Sequence, residues 1–397
     1  MHRKFTAPHI FTGNRFLPEG NVLITNREGV ILEIVPAENA GDNIEFFDGI
    51  LCPGFINAHC HLELSHLKNV LPEHTGLVDF VYRIITGRQA DLPVILQAIK
   101  DAEAEMLQEG IVAVGDICNT THSLQQKKEG NLRYHNFIEV TGFVPATAGK
   151  RFESAVENLE SFRKELQNKE HHSTISPHAP YSVSEALFNS INWHTGNNLV
   201  TIHNQETPAE AAFFETGTGD FLKLYQLLGI DISFFRPTGK SSLQSFLPFF
   251  NKQQSLILVH NVTTTAKDIL SSLESVSANQ LSSVYYCLCP NANKYITNSL
   301  PDVNMLMNNP GSIILGTDSL ASNHQLSILE EMKTLQIHFP SLATEQLLQW
   351  ATINGSRALR MEHDLGSFEK GKKPGIVNIS GANKAAFTNH AVARRLL

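Results

Sequence analysis

Residues 53–65 read PGFINAHCHLELS: a turn signal, a short apolar run, then two histidines two residues apart. Runs of this kind, rich in Val, Ile and Phe and often ending in His, Asp, Asn or Glu, recur along the chain. In order they are residues 54–63, 110–118, 133–142, 174–182, 199–206, 255–262, 283–291 and 312–319. Apolar runs with few polar interruptions suit strands covered on both faces, the habit of parallel sheets. Helix-patterned stretches separate them, among them 93–109, with a proline in its first turn, and 152–167, where Glu160 and Lys164 sit four apart. Eight such alternations predict an α/β fold, a closed (β/α)8 TIM barrel over residues 53–360, because open doubly wound sheets rarely carry so many units at regular spacing.

Outside that span the pattern changes. Residues 21–35 (NVLITNREGVILEIV) alternate as strands do, with turn signals at Glu19-Gly20 and Glu28-Gly29, and residues 365–380 (LGSFEKGKKPGIVNIS) read as short strands between glycines. The termini, 1–52 with 361–397, are therefore expected to form one small β-sandwich that packs on the barrel. The length of 397 residues suits a barrel with a companion domain. With 42% hydrophobic and 18% charged residues, the chain can bury a large core, which argues against disorder and coiled coil.

The 31 basic against 39 acidic residues give a net charge of −8, the wrong sign for a general nucleic-acid surface. Five cysteines without a CxxC pair argue against a disulfide framework, and nowhere do 18 apolar residues run together. A cytoplasmic protein without nucleic-acid or membrane partners is expected.

Chemistry-bearing residues cluster at the ends of the runs. On a strand, His59 and His61 share a face, and at the C-terminal end of a barrel strand that face is the mouth of the active site. Taken alone, the HxH tripeptide reads more readily as two surface histidines. The fifth run adds His203 and the eighth adds Asp318. Three imidazoles and a carboxylate, drawn from remote strands and without sulfur, suit one divalent ion with a position left open for water, whereas a structural zinc site closes its shell with cysteines. His260, ending the sixth run, is read as a group orienting the attacking water, with a buried, backbone-satisfied histidine as the alternative. Glu206, three residues after His203, can serve as a general acid; the alternative is an acidic residue at a helix start, since TPAE follows.

Taken together, PGFINAHCHLELS, SPHAPYS, VTIHNQET, LVHN, CPNANKYI and LGTDSLASN resemble, in this order and over almost the whole chain, the amidohydrolase superfamily. The likeness is to the branch containing S-adenosylhomocysteine, methylthioadenosine and aminodeoxyfutalosine deaminases, guanine deaminase and triazine hydrolases. The resemblance implies a barrel with a terminal β-sandwich, metal ligands His59, His61, His203 and Asp318, His260 beside the reactive water, and Glu206 as proton shuttle. Superfamily members with two metals bridge them with a lysine of the fourth strand; TISPHAPYS has none, so one ion is implied, Zn²⁺ or Fe²⁺.

The same resemblance sets His178 against a substrate sugar, with a turn-forming stretch around Pro177 and Pro180 as the alternative, and offers Arg151, Arg83 or Arg88 for a substrate carboxylate. Glu63 either touches substrate, if the first strand runs on, or packs at the strand end. Cys287 and Cys289 read as small buried residues of the seventh strand, and Asn293 and Asn323 as loop anchors or substrate contacts. The implied activity is hydrolytic deamination of an aminated purine-like ring in a small heterocyclic substrate, an adenine nucleoside derivative above all, and the family suggests a homodimer. A triazine, cyclic amide or guanine substrate is the competing enzyme reading. A catalytically silent binding module would tolerate loss of a site residue, and every one is retained.

Overall fold

The computed structural model describes residues 2–167 and 171–397. Every apolar run overlaps a strand: β1 (Phe55–Cys60), β2 (Ile111–Cys118), β3 (Arg133–Val140), β4 (His172–Pro177), β5 (Leu199–Asn204), β6 (Gln254–His260), β7 (Leu281–Leu288) and β8 (Ile313–Leu315). All pairings among them are parallel, in the orders β4-β3-β2-β1 and β5-β6-β7-β8. Two seams join the four-stranded sheets. At one, Cys60 bridges Asp318, and the amides of Thr317 and Asp318 both donate to the His59 carbonyl at 3.1 Å. At the other, the His203 amide donates to the His178 carbonyl at 2.9 Å and the Thr201 amide to Ser176 Oγ at 3.2 Å. β1, β2, β5 and β6 are buried along their whole length, as strands covered on both faces must be.

Most of the expected runs overshoot the sheet at their C-terminal ends. The reason is visible in the backbone: Gln205, His260, Asn261 and Asp318 take φ values of 49°, 78°, 61° and 58°, which end the ladder and turn these side chains away from strand geometry. Helix Leu92–Gln108 opens with Pro93 in its first turn and buries Ile95, Ile99, Ala102 and Met106, a stripe at helical spacing. Helix Ala148–Leu166 buries Ala155, Leu159, Phe162 and Leu166 in the same way; on its outer face Glu160 pairs with Arg163 at 3.2 Å, a three-residue spacing where Lys164 was the expected partner.

The segments after β1 and β5 fold into helices Leu77–Gly87, Pro208–Thr216, Phe221–Leu227 and Ser242–Phe246. Leu77, Phe80, Phe213, Phe221 and Tyr225 form an apolar layer with Leu64, Tyr181 and Ile296, roofing the C-terminal ends of the strands. Two further sheets come from the termini. One orders Ile31–Pro36, Asn21–Thr25, Arg3–Thr6 and Glu45–Phe46; the other orders Phe387–Arg395, Ile376–Ala382, Ile50–Pro53 and His9–Ile10. Gly20 and Gly29 take the positive φ their turns require. All five cysteines are buried and free; Cys289 lies one residue beyond β7 rather than within it. Among the described residues, no helix is long and apolar enough to cross a membrane.

One buried cation fixes the start of the site. Lys127 Nζ lies 2.5 Å from Asp116 Oδ2 and 3.1 Å from Cys118 Sγ, between the rings of Tyr134 and Phe162, at 4.8 and 5.1 Å from their centroids. Asp116 Oδ1 accepts the amide of Leu62 at 2.9 Å, the residue that follows His61. Removing the cation strands a charged carboxylate in the core, which costs more than the pair contributes. Lys127→Met is accordingly expected to lose about 3–5 kcal/mol of stability in urea unfolding. The double variant with Asp116→Asn should lose less than the sum of the two single changes.

Candidate active site

His59 lies in β1, and the strand ends at Cys60, so His61 stands at the mouth of a 3-10 turn, Leu62–Leu67. The two rings still converge: His61 Nε2 lies 3.2 Å from His59 Nε2 and 3.3 Å from His203 Nε2. Asp318 Oδ1 completes the group at 3.3 Å from His61 Nε2 and 3.5 Å from His59 Nε2. Ser322 Oγ donates to the other oxygen, Oδ2, at 2.6 Å, which turns Oδ1 toward the imidazoles. Gly316 makes room for this approach, since a Cβ there would stand 2.8 Å from His59 Cβ and 2.9 Å from Cys287 Sγ.

His203 Nδ1 bonds the His178 carbonyl at 2.8 Å; a carbonyl only accepts, so Nδ1 carries the proton and Nε2 presents its lone pair to the cluster. Burial, with neighbouring imidazoles, pushes His203 down to about 3 and His61 well below the usual histidine range, so both are neutral near pH 7. Burial alone would raise Asp318, but its hydrogen bond with His59 and its electrostatic interactions with the His61 and His260 imidazoles hold it well below the usual carboxylate range. Neutral imidazoles crowding one carboxylate oxygen with their ring nitrogens are a donor set for a divalent ion, and the chemistry fits three nitrogens and one oxygen.

His260 ends β6, 1% exposed. Asn293 Nδ2 donates to its Nδ1 at 3.1 Å, leaving Nε2 to carry the proton, and Nε2 stands 3.6 Å from Glu206 Oε1. Glu206 is buried just past β5. Burial and the charges of Asp318 and Glu210 push its carboxyl well above the ordinary range, which favours its protonated form. The helix-start position considered for Glu206 belongs instead to Glu210, in the first turn of Pro208–Thr216. Its two oxygens accept the amides of Gln205 and Glu206 at 3.0 and 3.1 Å, holding the loop that presents Glu206. His178 Nδ1 lies 2.8 Å from Ser182 Oγ, and its ring centroid is 4.8 Å from that of His203.

Of the two alternatives for Glu63, packing at the strand end is the one found. The strand does not run on to Glu63: the chain turns into the 3-10 segment, and the Glu63 carboxylate is spent on the amides of Asn119 and Thr120, at 3.1 and 3.0 Å. Arg151 is exposed on helix Ala148–Leu166, its stem against Gly142, and Arg83 is exposed on Leu77–Gly87. Of the three arginines, Arg88 is the one drawn toward the strand ends, both Nη atoms lying 3.3 Å from Asn119 Oδ1. Asn323 is a loop anchor, donating to the Thr317 carbonyl at 2.9 Å and to Glu331 at 2.8 Å. Sequence reasoning passed over Asn119, Glu139 and Glu210. Glu139 lies near the end of the third run as His203 lies near the end of the fifth, and that position was the available signal.

The chain belongs to the amidohydrolase family, whose sequence profile matches residues 50–396. It is similar to the aminodeoxyfutalosine deaminase of a Nitratiruptor species, 29% identical over 323 residues that cover 79% of this chain and 75% of the relative. A 5-methylthioadenosine/S-adenosylhomocysteine deaminase of Thermococcus kodakarensis is 27% identical over 368 residues, covering 89% and 80%. Among solved structures, Helicobacter pylori aminofutalosine deaminase in complex with methylthio-coformycin superposes with a TM-score of 0.81 at 22% identity over 100% of both chains, so the fold is shared.

Titration of chelator-treated protein with Zn²⁺, followed by calorimetry, is expected to reveal one tight site per chain. His61→Ala and Asp318→Asn should each weaken it by at least about 10-fold, the scale typical of changes around a metal. Tight binding unchanged in both variants would place the ion elsewhere.

Proposed function

We propose that this chain is a metal-dependent aminohydrolase that replaces the amino group on the purine-like ring of an adenine nucleoside derivative with oxygen and releases ammonia. The observation that carries the reading is the buried acid Glu206 facing His260 at 3.6 Å beside the three-histidine, one-aspartate cluster. The names of these relatives, both nucleoside deaminases, support the substrate class. We read the eight parallel strands as a closed (β/α)8 barrel over residues 53–360, and the terminal sheets as one β-sandwich from 1–52 and 361–397; the two seams and the pairing of Ile50–Pro53 with Ile376–Ala382 support this. Five unpaired, buried thiols suit a reducing compartment, and we place the enzyme in the cytoplasm.

His59, His61, His203 and Asp318 would hold one divalent ion, Zn²⁺ or Fe²⁺. Such an ion, when bound, lowers the pKa of water toward neutrality and so supplies the nucleophile. Asp318 takes the proton of the attacking water while Ser322 holds its far oxygen. His260, its tautomer fixed by Asn293, offers Nε2–H to the attacking oxygen and keeps it in line. Glu206 gives its proton to the ring nitrogen next to the carbon under attack, which absorbs the charge that develops there. A second proton transfer releases ammonia. The roof of Leu77, Phe80, Phe213 and Tyr225 keeps bulk water from the charged groups.

The test is a panel of adenosine, methylthioadenosine, S-adenosylhomocysteine and aminodeoxyfutalosine, read by ammonia release and purine absorbance. At least one is expected to turn over, with Glu206→Gln slower by about 10²–10⁴-fold at unchanged metal content. Turnover of a triazine or cyclic amide alone would replace the nucleoside reading.

A further inference from the structure

On the side of His203 away from Glu206 stands a second set of polar groups that the chemistry above leaves unused. Glu139 is the penultimate residue of β3, its side chain 5% exposed. Its Oε2 accepts Asn119 Nδ2 at 2.8 Å. The amide of Asn119 can face only this way, because its Oδ1 is taken by both Nη atoms of Arg88 and a guanidinium only donates. The Asn119 backbone is pinned by Glu63, and the Arg88 carbonyl lies 2.9 Å from His66 Nε2. Asn119, held by Arg88 and Glu63, thus orients one carboxylate and occupies one of its oxygens.

The other oxygen, Oε1, is 3.8 Å from His203 Nδ1, too far to share its proton. Glu139, His178 and His203 lie close enough together to suggest a second cation site. Yet His203 has no nitrogen to spare: Nδ1 is bonded to the His178 carbonyl and Nε2 faces the first cluster. What remains is a buried, oriented acceptor beside His178, whose Nδ1 is engaged by Ser182. Such an acceptor recognises a hydroxyl donor, and a carboxylate binds one through a short charge-assisted bond.

We infer that Glu139 is a specificity-determining residue that accepts a hydrogen bond from a ribose hydroxyl of the substrate. The inference rests on the nucleoside reading above and adds what that reading does not contain: Arg88 and Asn119 are positioning residues for this carboxylate. The geometry suits it, since β3 and β4 flank β5 on one side and β6 flanks it on the other, so a ring placed at Glu206 and His260 directs its sugar toward Glu139 and His178.

The experiment compares adenosine with its 2′-deoxy and 3′-deoxy analogues in the metal-loaded protein, in Glu139→Ala and in the near-isosteric Glu139→Gln. The parent should prefer the ribonucleoside over at least one deoxy analogue by about 10–100-fold in kcat/KM, and Glu139→Ala should bring that ratio close to 1 by losing activity on the ribonucleoside alone. Glu139→Gln decides the matter if the alanine variant fails to fold. A variant that slows all three compounds equally, or leaves the ratio intact, would overturn the assignment. If the parent deaminates none of these three and none of the panel above, the deaminase reading is what fails. The same three compounds are then compared by equilibrium binding, where a hydroxyl-dependent affinity lost in the variants upholds the assignment, and its absence, or no binding at all, sinks it.

Discussion

A single carbonyl oxygen, that of His59, accepts the amide protons of Thr317 and Asp318, and most of the site depends on this pair of bonds. They tie the end of β8 to β1 and so set Asp318 against the histidines of a segment that lies far from it in sequence. Asn57, two residues earlier, repeats the tie with its side chain: Oδ1 accepts the Thr317 amide at 3.0 Å, and Nδ2 donates to Thr317 Oγ1 at 2.8 Å. The positive φ of Asp318 follows, because the chain must leave the ladder at once for the carboxylate to turn inward. A carboxylate in such a conformation persists only where its surroundings over-determine it, and here backbone, side chain and Ser322 all do.

The roof and the cluster answer different physical demands. Apolar rings stacked above the strand ends, such as Phe213 on Phe235 at 4.2 Å, lower the local dielectric and strengthen every charge interaction beneath them. The same burial would penalise each unpaired polar group, and the loops respond with a dense hydrogen-bond network. Gln205 shows it well: its side-chain nitrogen donates to Asp268 at 3.0 Å, its side-chain oxygen accepts Thr264 at 2.7 Å, and its carbonyl accepts Thr263. The loop carrying Glu206 and the loop following His260 are thereby locked together, which fixes the acid and the imidazole relative to each other.

The apolar runs made the parallel strands legible, because buried strands must be continuously apolar and helices between them must show a stripe. The buried cluster was legible too, since His59, His61, His203 and Asp318 all lie in such runs, at or just beyond the end of a strand. What pattern could not show is where a strand stops. Glu63 looked like a continuation of His61, but Asp116 captures the Leu62 amide and bends the chain, a contact from a residue more than fifty positions away. Nor could it show the helices over the site, whose apolar residues pair with one another across distant loops rather than along their own segment.

Arg151 and Arg88 illustrate the same limit in charge. Both follow strands and both could reach a pocket by sequence position alone. Arg151 sits on a helix that must turn its apolar stripe, Ala155 and Leu159, toward the sheet, and this rotation carries the arginine to the solvent side. Arg88 caps the helix Leu77–Gly87, whose buried residues, Leu77, Val78 and Phe80, all lie at the opposite end, and its guanidinium is directed at Asn119. The buried face of a helix thus decides which of these cations is turned toward the strand ends, and that face is set by partners the local sequence does not name.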